Sequence, residues 1–311
     1  IALIFSFMKK ASISLFEIIF VSFILSIMYM TNAWDGLIYL LLSIIFITFY
    51  TTYKNNKLNL SFENIYEIFK KTIIIIMGFF VFSLPFSINF KPFVSGIGFI
   101  CPPTFLTKIE KLGPFLFEPN HCQRSPIWQL LILYGFFYFF VFSFIVFLKN
   151  KKDYKITVSD LFVIILILLS SFLIIIPEFV YIKDIYPLHY RANTMFKLTY
   201  EAFIMLSISS AFILIKMLSS IKNKKRLIFF FLISVCFFSL VFVYPFFAIN
   251  SYYKDLKSYQ NLNGTSYLSD SYPRDLKLIN WMNENIKQQP VILEASGDSY
   301  TDYARISTNT G

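Results

Sequence analysis

The sequence predicts an all-α polytopic membrane bundle of about seven transmembrane helices, opened by an N-terminal helix stub and closed by a truncated extracytoplasmic α/β segment. Three observations carry that reading. Of 311 residues, 57% are hydrophobic and only 15% charged, a balance foreign to an ordinary soluble domain. The apolar residues gather in runs of nearly spanning length. Lysines recur at every second connection between those runs, as the positive-inside tendency requires of a multi-pass chain.

The opening stretch, IALIFSFMKK, does not begin with Met and is an apolar run closed by Lys9 and Lys10. It reads as the last turns of a helix begun upstream, and the chain as a fragment without a signal peptide. Apolar runs follow at about 12–30, 36–50, 65–84, 127–148, 160–176, 198–218 and 227–249, against roughly 17–25 residues needed to span a bilayer. The second and fifth are short and need their flanks or a thinner bilayer. Residues 1–249 form the transmembrane domain, and 250–311 the start of the extracytoplasmic segment.

Lys9 and Lys10, then Lys54, Lys57, Lys70 and Lys71, then Lys149, Lys151, Lys152 and Lys155, then Lys222, Lys224, Lys225 and Arg226 mark the cytoplasmic connections. The alternate pieces, loops 31–35, 85–126 and 177–197 and the tail 250–311, are then extracytoplasmic in a multi-pass cell-membrane protein. Four arginines, Arg124, Arg191, Arg274 and Arg305, fall in those outer pieces. A planar guanidinium suits phosphate or carboxylate, although snorkelling and ordinary solvation also account for them.

In TNAWDG, Asn32 and Asp35 can cap the next helix and Trp34 fits the interfacial aromatic belt; the functional alternative makes Asp35 a carboxylate facing a cavity. His189, Asn193, Lys197 and Glu201 stand four apart and predict one polar row on a helix, with Lys197 and Glu201 neutralising each other. Ionisable groups on a membrane helix usually face a bundle interior or a wet cavity. Glu178, after Pro177, and Asp184 add carboxylates nearby, the material of acid/base chemistry. With two histidines, His121 and His189, and no zinc or dinuclear spacing, no metal site and no cofactor are read; a divalent metal is compatible but unsupported.

The loop 85–126 is punctuated by Gly and Pro, which argues for a segment lying on the membrane surface or re-entering the protein. Cys101 and Cys122 within it can pair on an oxidising face, whereas Cys236 lies in a membrane helix and reads as packing. In the tail, Leu276, Ile279 and Trp281 to Met282 keep helical spacing, and Val291 to Ala295 reads as a short buried strand. Glu294, Tyr300 and Arg305 around that strand form a candidate outer-tail site.

Taken in order, TNAWDGLIYLLL, SPIWQLLILYG, HYRANTMFKLTYEAF, DLKLINWMNENI and PVILEASGDSYTDYARISTNTG resemble the YYY-motif family of multi-pass membrane proteins. The family's Asn-x-Trp-Asp corner matches Asn32, Trp34 and Asp35. Its Arg-x-Asn-Thr-x-Phe-Lys helix start matches Arg191, Asn193, Thr194, Phe196 and Lys197. Its Leu-Glu-Ala, Ser-Tyr and Arg-Ile-Ser elements match Leu293, Glu294, Ala295, Ser299, Tyr300, Arg305 and Ser307. The tyrosine-rich motif that names the family lies upstream of this sequence.

That family resembles the GT-C class of membrane glycosyltransferases. The resemblance implies a polyprenyl-phosphate sugar donor at an outward-facing cavity, with membrane lipid as the other partner and no nucleic acid. It implies Arg191, Asn193 and Lys197 at the donor phosphate and Asp35, Glu178 and His189 as catalytic candidates near the acceptor, the principal acid lying upstream. A transporter or lipid flippase and a non-catalytic scaffold subunit are the alternatives.

Overall fold

The computed structural model describes residues 1–310 apart from 11, 55–56, 93, 151–153, 185–188, 254–262, 289 and 298–300, and omits the side chains of 54, 57 and 58. Two compact units emerge, Ile1–Phe238 and Ser239–Gly311.

The first unit is a helical bundle. A stub, α1 (Ala2–Met8), precedes α2 (Leu15–Thr31), α3 (Ala33–Thr52), α4 (Phe62–Ser87), the one-turn α5 (Thr104–Thr107), α6 (Ile127–Asn150), α7 (Val158–Ile175), α8 (Ala192–Ser220) and the first half of α9 (Lys224–Tyr253), which runs on into the second unit. Six of these, α3, α4, α6, α7 with its terminal turn to Glu178, α8 and α9, are long and apolar enough to cross a membrane, and α2 is a shorter apolar helix. The chain is therefore a multi-pass helical membrane protein.

Local chemistry sets the helix ends. Ser14 and Glu17 form a reciprocal capping box at the start of α2, as Thr157 and Asp160 do for α7, each such cap worth about 1 kcal/mol. Asn32 ends α2 in an extended conformation and its side chain accepts from the Trp34 amide, so one residue terminates a helix and starts the next. Gly36 permits that corner: a Cβ there would stand 2.5 Å from the Tyr29 backbone. Hydroxyls inside the helices mostly donate to the carbonyl four residues back, as Ser43, Ser170 and Ser209 do, which satisfies them where no water is available.

The core runs between α1, α2, α3, α4, α7 and α8 around Leu42, Phe46, Ile165, Leu169, Met205 and Leu206, and a second cluster joins α6, α7, α8 and α9 through Phe140, Phe144 and Ile213. On α9 the expected packing role of Cys236 does not hold: it is exposed, because the buried face of that helix is carried by Phe230 and Ser234.

A hairpin of β1 (Tyr53–Lys54) and β2 (Lys57–Leu58) links α3 to α4. The loop after α4 folds into a sheet with order β4-β5-β3-β6, built from β3 (Gly96–Phe99), β4 (Lys111–Leu112), β5 (Phe115–Leu116) and, from beyond α7, β6 (Val180–Lys183). β3 runs parallel to β5 and antiparallel to β6, with Gly98 opposite Tyr181. The two long connections are thus one structure.

In the second unit, the end of α9 is followed by the described helices α10 (Tyr267–Ser271), α11 (Pro273–Asn285) and α12 (Arg305–Thr310). Ile279 and Met282 are buried on α11 while Trp281 is exposed. The expected strand at Val291 to Ala295 has no regular secondary structure, and Val291 and Leu293 are fully exposed. Among the described residues it has no partner strand, and apolar sequence alone cannot make a strand without one.

Candidate functional site

The 3-10 turn Ile176–Glu178 continues α7 and ends in a buried carboxylate. Arg191, the residue before α8, reaches back to it: Nη1 donates to Glu178 Oε2 at 2.8 Å and to the Pro177 carbonyl at 3.1 Å, while Nη2 donates to Ser125 Oγ at 2.9 Å. The Ser125 amide donates to the same Oε2 at 2.7 Å. Three segments separated by up to 66 residues therefore meet on one oxygen. Oε1, also buried, has no hydrogen-bond partner among the described residues. An unpaired acceptor on a buried charge costs about 1–3 kcal/mol or more, so this oxygen is a place where a bound donor would be favoured.

A second carboxylate site lies on α3 and α8. Glu201, 6% exposed, accepts from Tyr39 Oη at 2.7 Å, and Asp35, one turn before Tyr39, is near enough to interact electrostatically with both. Asp35 in turn accepts from Asn32 Nδ2 at 2.9 Å. Asn193, Lys197 and Glu201 share one face of α8, as their spacing predicts. His189 does not join them: α8 begins at Ala192, and His189 is exposed before it. Nor do Lys197 and Glu201 neutralise each other. Glu201 is engaged by Tyr39, and the Lys197 ammonium lies 5.8 Å from the Phe196 ring centroid.

The sheet carries a third cluster. Tyr181 Oη donates to Glu118 Oε2 at 2.6 Å and meets His121 Nδ1 at 2.5 Å; Lys183 pairs with Glu118 Oε1, and His121 stacks on the Tyr190 ring at 4.0 Å. The Tyr181 ring occupies the space a side chain at position 98 would need, since a Cβ on Gly98 would lie 2.1 Å from it. Burial pushes the Glu118 carboxyl up, but the Lys183 and Tyr181 hydrogen bonds outweigh it and hold the pKa below the usual carboxylate range. Burial, and then the Glu118 carboxylate, push the Tyr181 phenol up. A disulfide between Cys101 and Cys122, Cα atoms 4.3 Å apart, fastens this cluster.

At the opposite end of α7, Asp160 is fully buried and completely engaged. Lys216 of α8 pairs with Oδ1, and Oδ2 accepts from Tyr154 Oη at 2.6 Å and from the Thr157 amide and hydroxyl at 2.8 and 2.7 Å. Neither this pair nor Glu118, Tyr181, Ser125 and Tyr39 figures in the expected site. The one sequence signal was Tyr39, at i+4 from Asp35.

In the tail, Glu294 accepts from the Ile306 and Ser307 amides at 2.9 and 3.1 Å, which caps α12. Arg305 pairs with Asp275 at 2.8 Å and stacks 3.7 Å over the Tyr272 ring. Two of the three expected tail residues thus meet at one helix start, both with protein partners; Tyr300 lies outside the described residues. Among the described residues no group of three or more His, Cys, Asp or Glu is arranged to hold a metal ion.

A family model described as "Uncharacterized membrane protein (DUF2298)" matches residues 1–162 and 149–206. The chain belongs to that family. No curated protein and no solved structure matches it.

Proposed function

We propose that this member of the DUF2298 membrane family is a GT-C-like glycosyltransferase, of the YYY-motif kind its motifs resemble, that takes sugar from a polyprenyl-phosphate donor in a cavity open to the extracytoplasmic side. In this reading loops 31–35, 85–126 and 177–197 and the tail face outward from the cell membrane. The observation that carries it is the buried Glu178 carboxylate, held through one oxygen by Arg191 and Ser125 with the other unpaired.

Such an oxygen is suited to an acceptor hydroxyl. In the transfer, that hydroxyl oxygen bonds to the sugar's anomeric carbon, the bond from that carbon to the phosphate oxygen breaks, and the phosphate leaves with the electron pair. The hydroxyl proton passes to a carboxylate. Glu178 is the base this geometry favours, Asp35 orients the acceptor, and His189 stands at the rim. Arg191, Asn193 and Lys197 supply the phosphate's positive and polar contacts, and Arg191 also fixes Glu178. The apolar helix faces suit the polyprenyl chain.

Native mass spectrometry of the complete protein with a polyprenyl-phosphate hexose tests this. Saturable binding, weakened about ten-fold or more by Arg191→Ala and less by Asp35→Asn, supports the reading, since hydrogen bonds to charged groups are worth about 1.5–3 kcal/mol. A folded wild-type protein that binds no such lipid contradicts it.

A further inference from the structure

The lysines that mark alternate connections in the sequence converge in space. Lys10 after α1, Lys71 in α4 and Lys155 before α7 line one cleft of about 770 Å³, bounded also by the end of α3. That volume is in the range of small-molecule sites. Its charged lining comprises three lysines against one glutamate, Glu67, which stands 3.6 Å from Lys71. Lys10 is paired with Glu17 beside the cleft. Lys155 is exposed and, among the described residues, has no ion-pair partner.

The same cleft wall carries an unsatisfied hydroxyl. Thr48 and Thr52 of α3 each donate to the carbonyl four residues back, at 2.9 and 2.7 Å. Thr51, on the cleft wall and 7% exposed, does not: its Oγ1 has no partner among the described residues. A buried hydroxyl that forgoes an available helix carbonyl is a donor awaiting an acceptor. The remaining wall joins an apolar part, with Met8, Ile13 and Leu161, to a polar one, with Ser12, Asn64 and Thr157. Cations and polar groups on one part of the wall and apolar side chains on the other together fit an amphiphile with an anionic head.

We infer that this cleft binds a phosphate group, presented as the headgroup of an anionic phospholipid, with Lys71 and Lys155 contacting the phosphate and Thr51 donating to it. The site lies at the end of α7 away from Glu178 and does not depend on glycosyl transfer.

The test is native mass spectrometry of the full chain released from detergent after incubation with phosphatidate, phosphatidylcholine or inorganic phosphate. Phosphatidate should be retained at least about ten-fold over phosphatidylcholine. Lys71→Gln with Lys155→Gln should lower that retention on the order of twenty-fold, about five-fold per lysine. Thr51→Val should lower it a few-fold, and Lys224→Gln with Lys225→Gln, which alters basic residues outside the cleft, should leave it unchanged. Inorganic phosphate that displaces phosphatidate at equal concentration would make free phosphate the occupant and overturn the lipid assignment. Equal retention of phosphatidate and phosphatidylcholine, or equal losses from the cleft and control pairs, would overturn the site altogether.

Discussion

Helices α7 and α8 are fastened near both ends by a carboxylate and a cation, and the two fastenings differ in one oxygen. At the Lys216 end, both oxygens of Asp160 are engaged, by Lys216, Tyr154 and Thr157. At the Arg191 end, Glu178 has one oxygen bound by Arg191 and Ser125 and the other bare. Burying a charge is costly unless its hydrogen bonds are completed. The Asp160 network therefore has the completeness of a structural clamp, whereas the Glu178 network is one contact short, and a ligand hydroxyl would complete it.

The largest effect should come from breaking the complete clamp. Lys216→Met leaves Asp160 buried and unpaired, and should destabilise the protein by about 3–5 kcal/mol, read as a fall in melting temperature in detergent. Joining it to Asp160→Leu should recover most of that loss, because an apolar pair can replace a buried ion pair. Failure of the double variant to recover would mean that the clamp has more than a packing role.

At the other end, Arg191→Met should also destabilise, by about 2–4 kcal/mol, since it strands Glu178 while the Ser125 amide still serves Oε2. A loss greater than that of Lys216→Met, in the same melting assay, would reverse the comparison. Glu178→Gln is the finer probe. It keeps shape and the acceptor used by Arg191 and Ser125 but leaves the Arg191 charge without its counter-ion, so it should destabilise by about 1–3 kcal/mol, while lipid-phosphate sugar binding falls.

The smallest effect concerns the sheet beside the Glu178 end. Glu118 titrates below its unfolded value near 4.5 in the native protein, so between those values the unfolded chain binds more protons. Its contribution is present above about pH 4.5 and disappears as pH falls through the depressed native value. Protection of the amides of residues 96–123 from hydrogen exchange, taken relative to the intrinsic rate at each pH, should therefore fall below about pH 4.5, and Glu118→Gln should remove that dependence. An unchanged dependence would mean that other groups control the loop.

The bundle was legible because spanning helices announce themselves by length and composition, and each expected run from 12–30 to 227–249 corresponds to a helix of the structure. Caps such as Asn32 were legible for the same local reason. The loop sheet was not, since strands of two to four residues leave no periodicity to read. The side-chain networks were less so. Asp160 and Lys216 are 56 residues apart, and Tyr39 and Glu201 are 162 apart; nothing local links them. Glu178 and Arg191 were both singled out as candidates, but their pairing was not, because it needs the turn at Ile176–Glu178 and the start of α8 to face each other. His189 was misassigned by extending a four-residue rhythm past the helix start at Ala192.

The contrast between the two clamps is tested most directly by ligand-dependent melting of the complete protein with a polyprenyl-phosphate hexose, comparing wild type, Glu178→Gln and Asp160→Asn. If the bare oxygen receives a ligand, saturating lipid raises the melting temperature of the wild type and of Asp160→Asn by similar increments, whatever their starting points, and Glu178→Gln loses most of that increment. An increment undiminished in Glu178→Gln, or lost equally in Asp160→Asn, would contradict the assignment of the Glu178 end as the site.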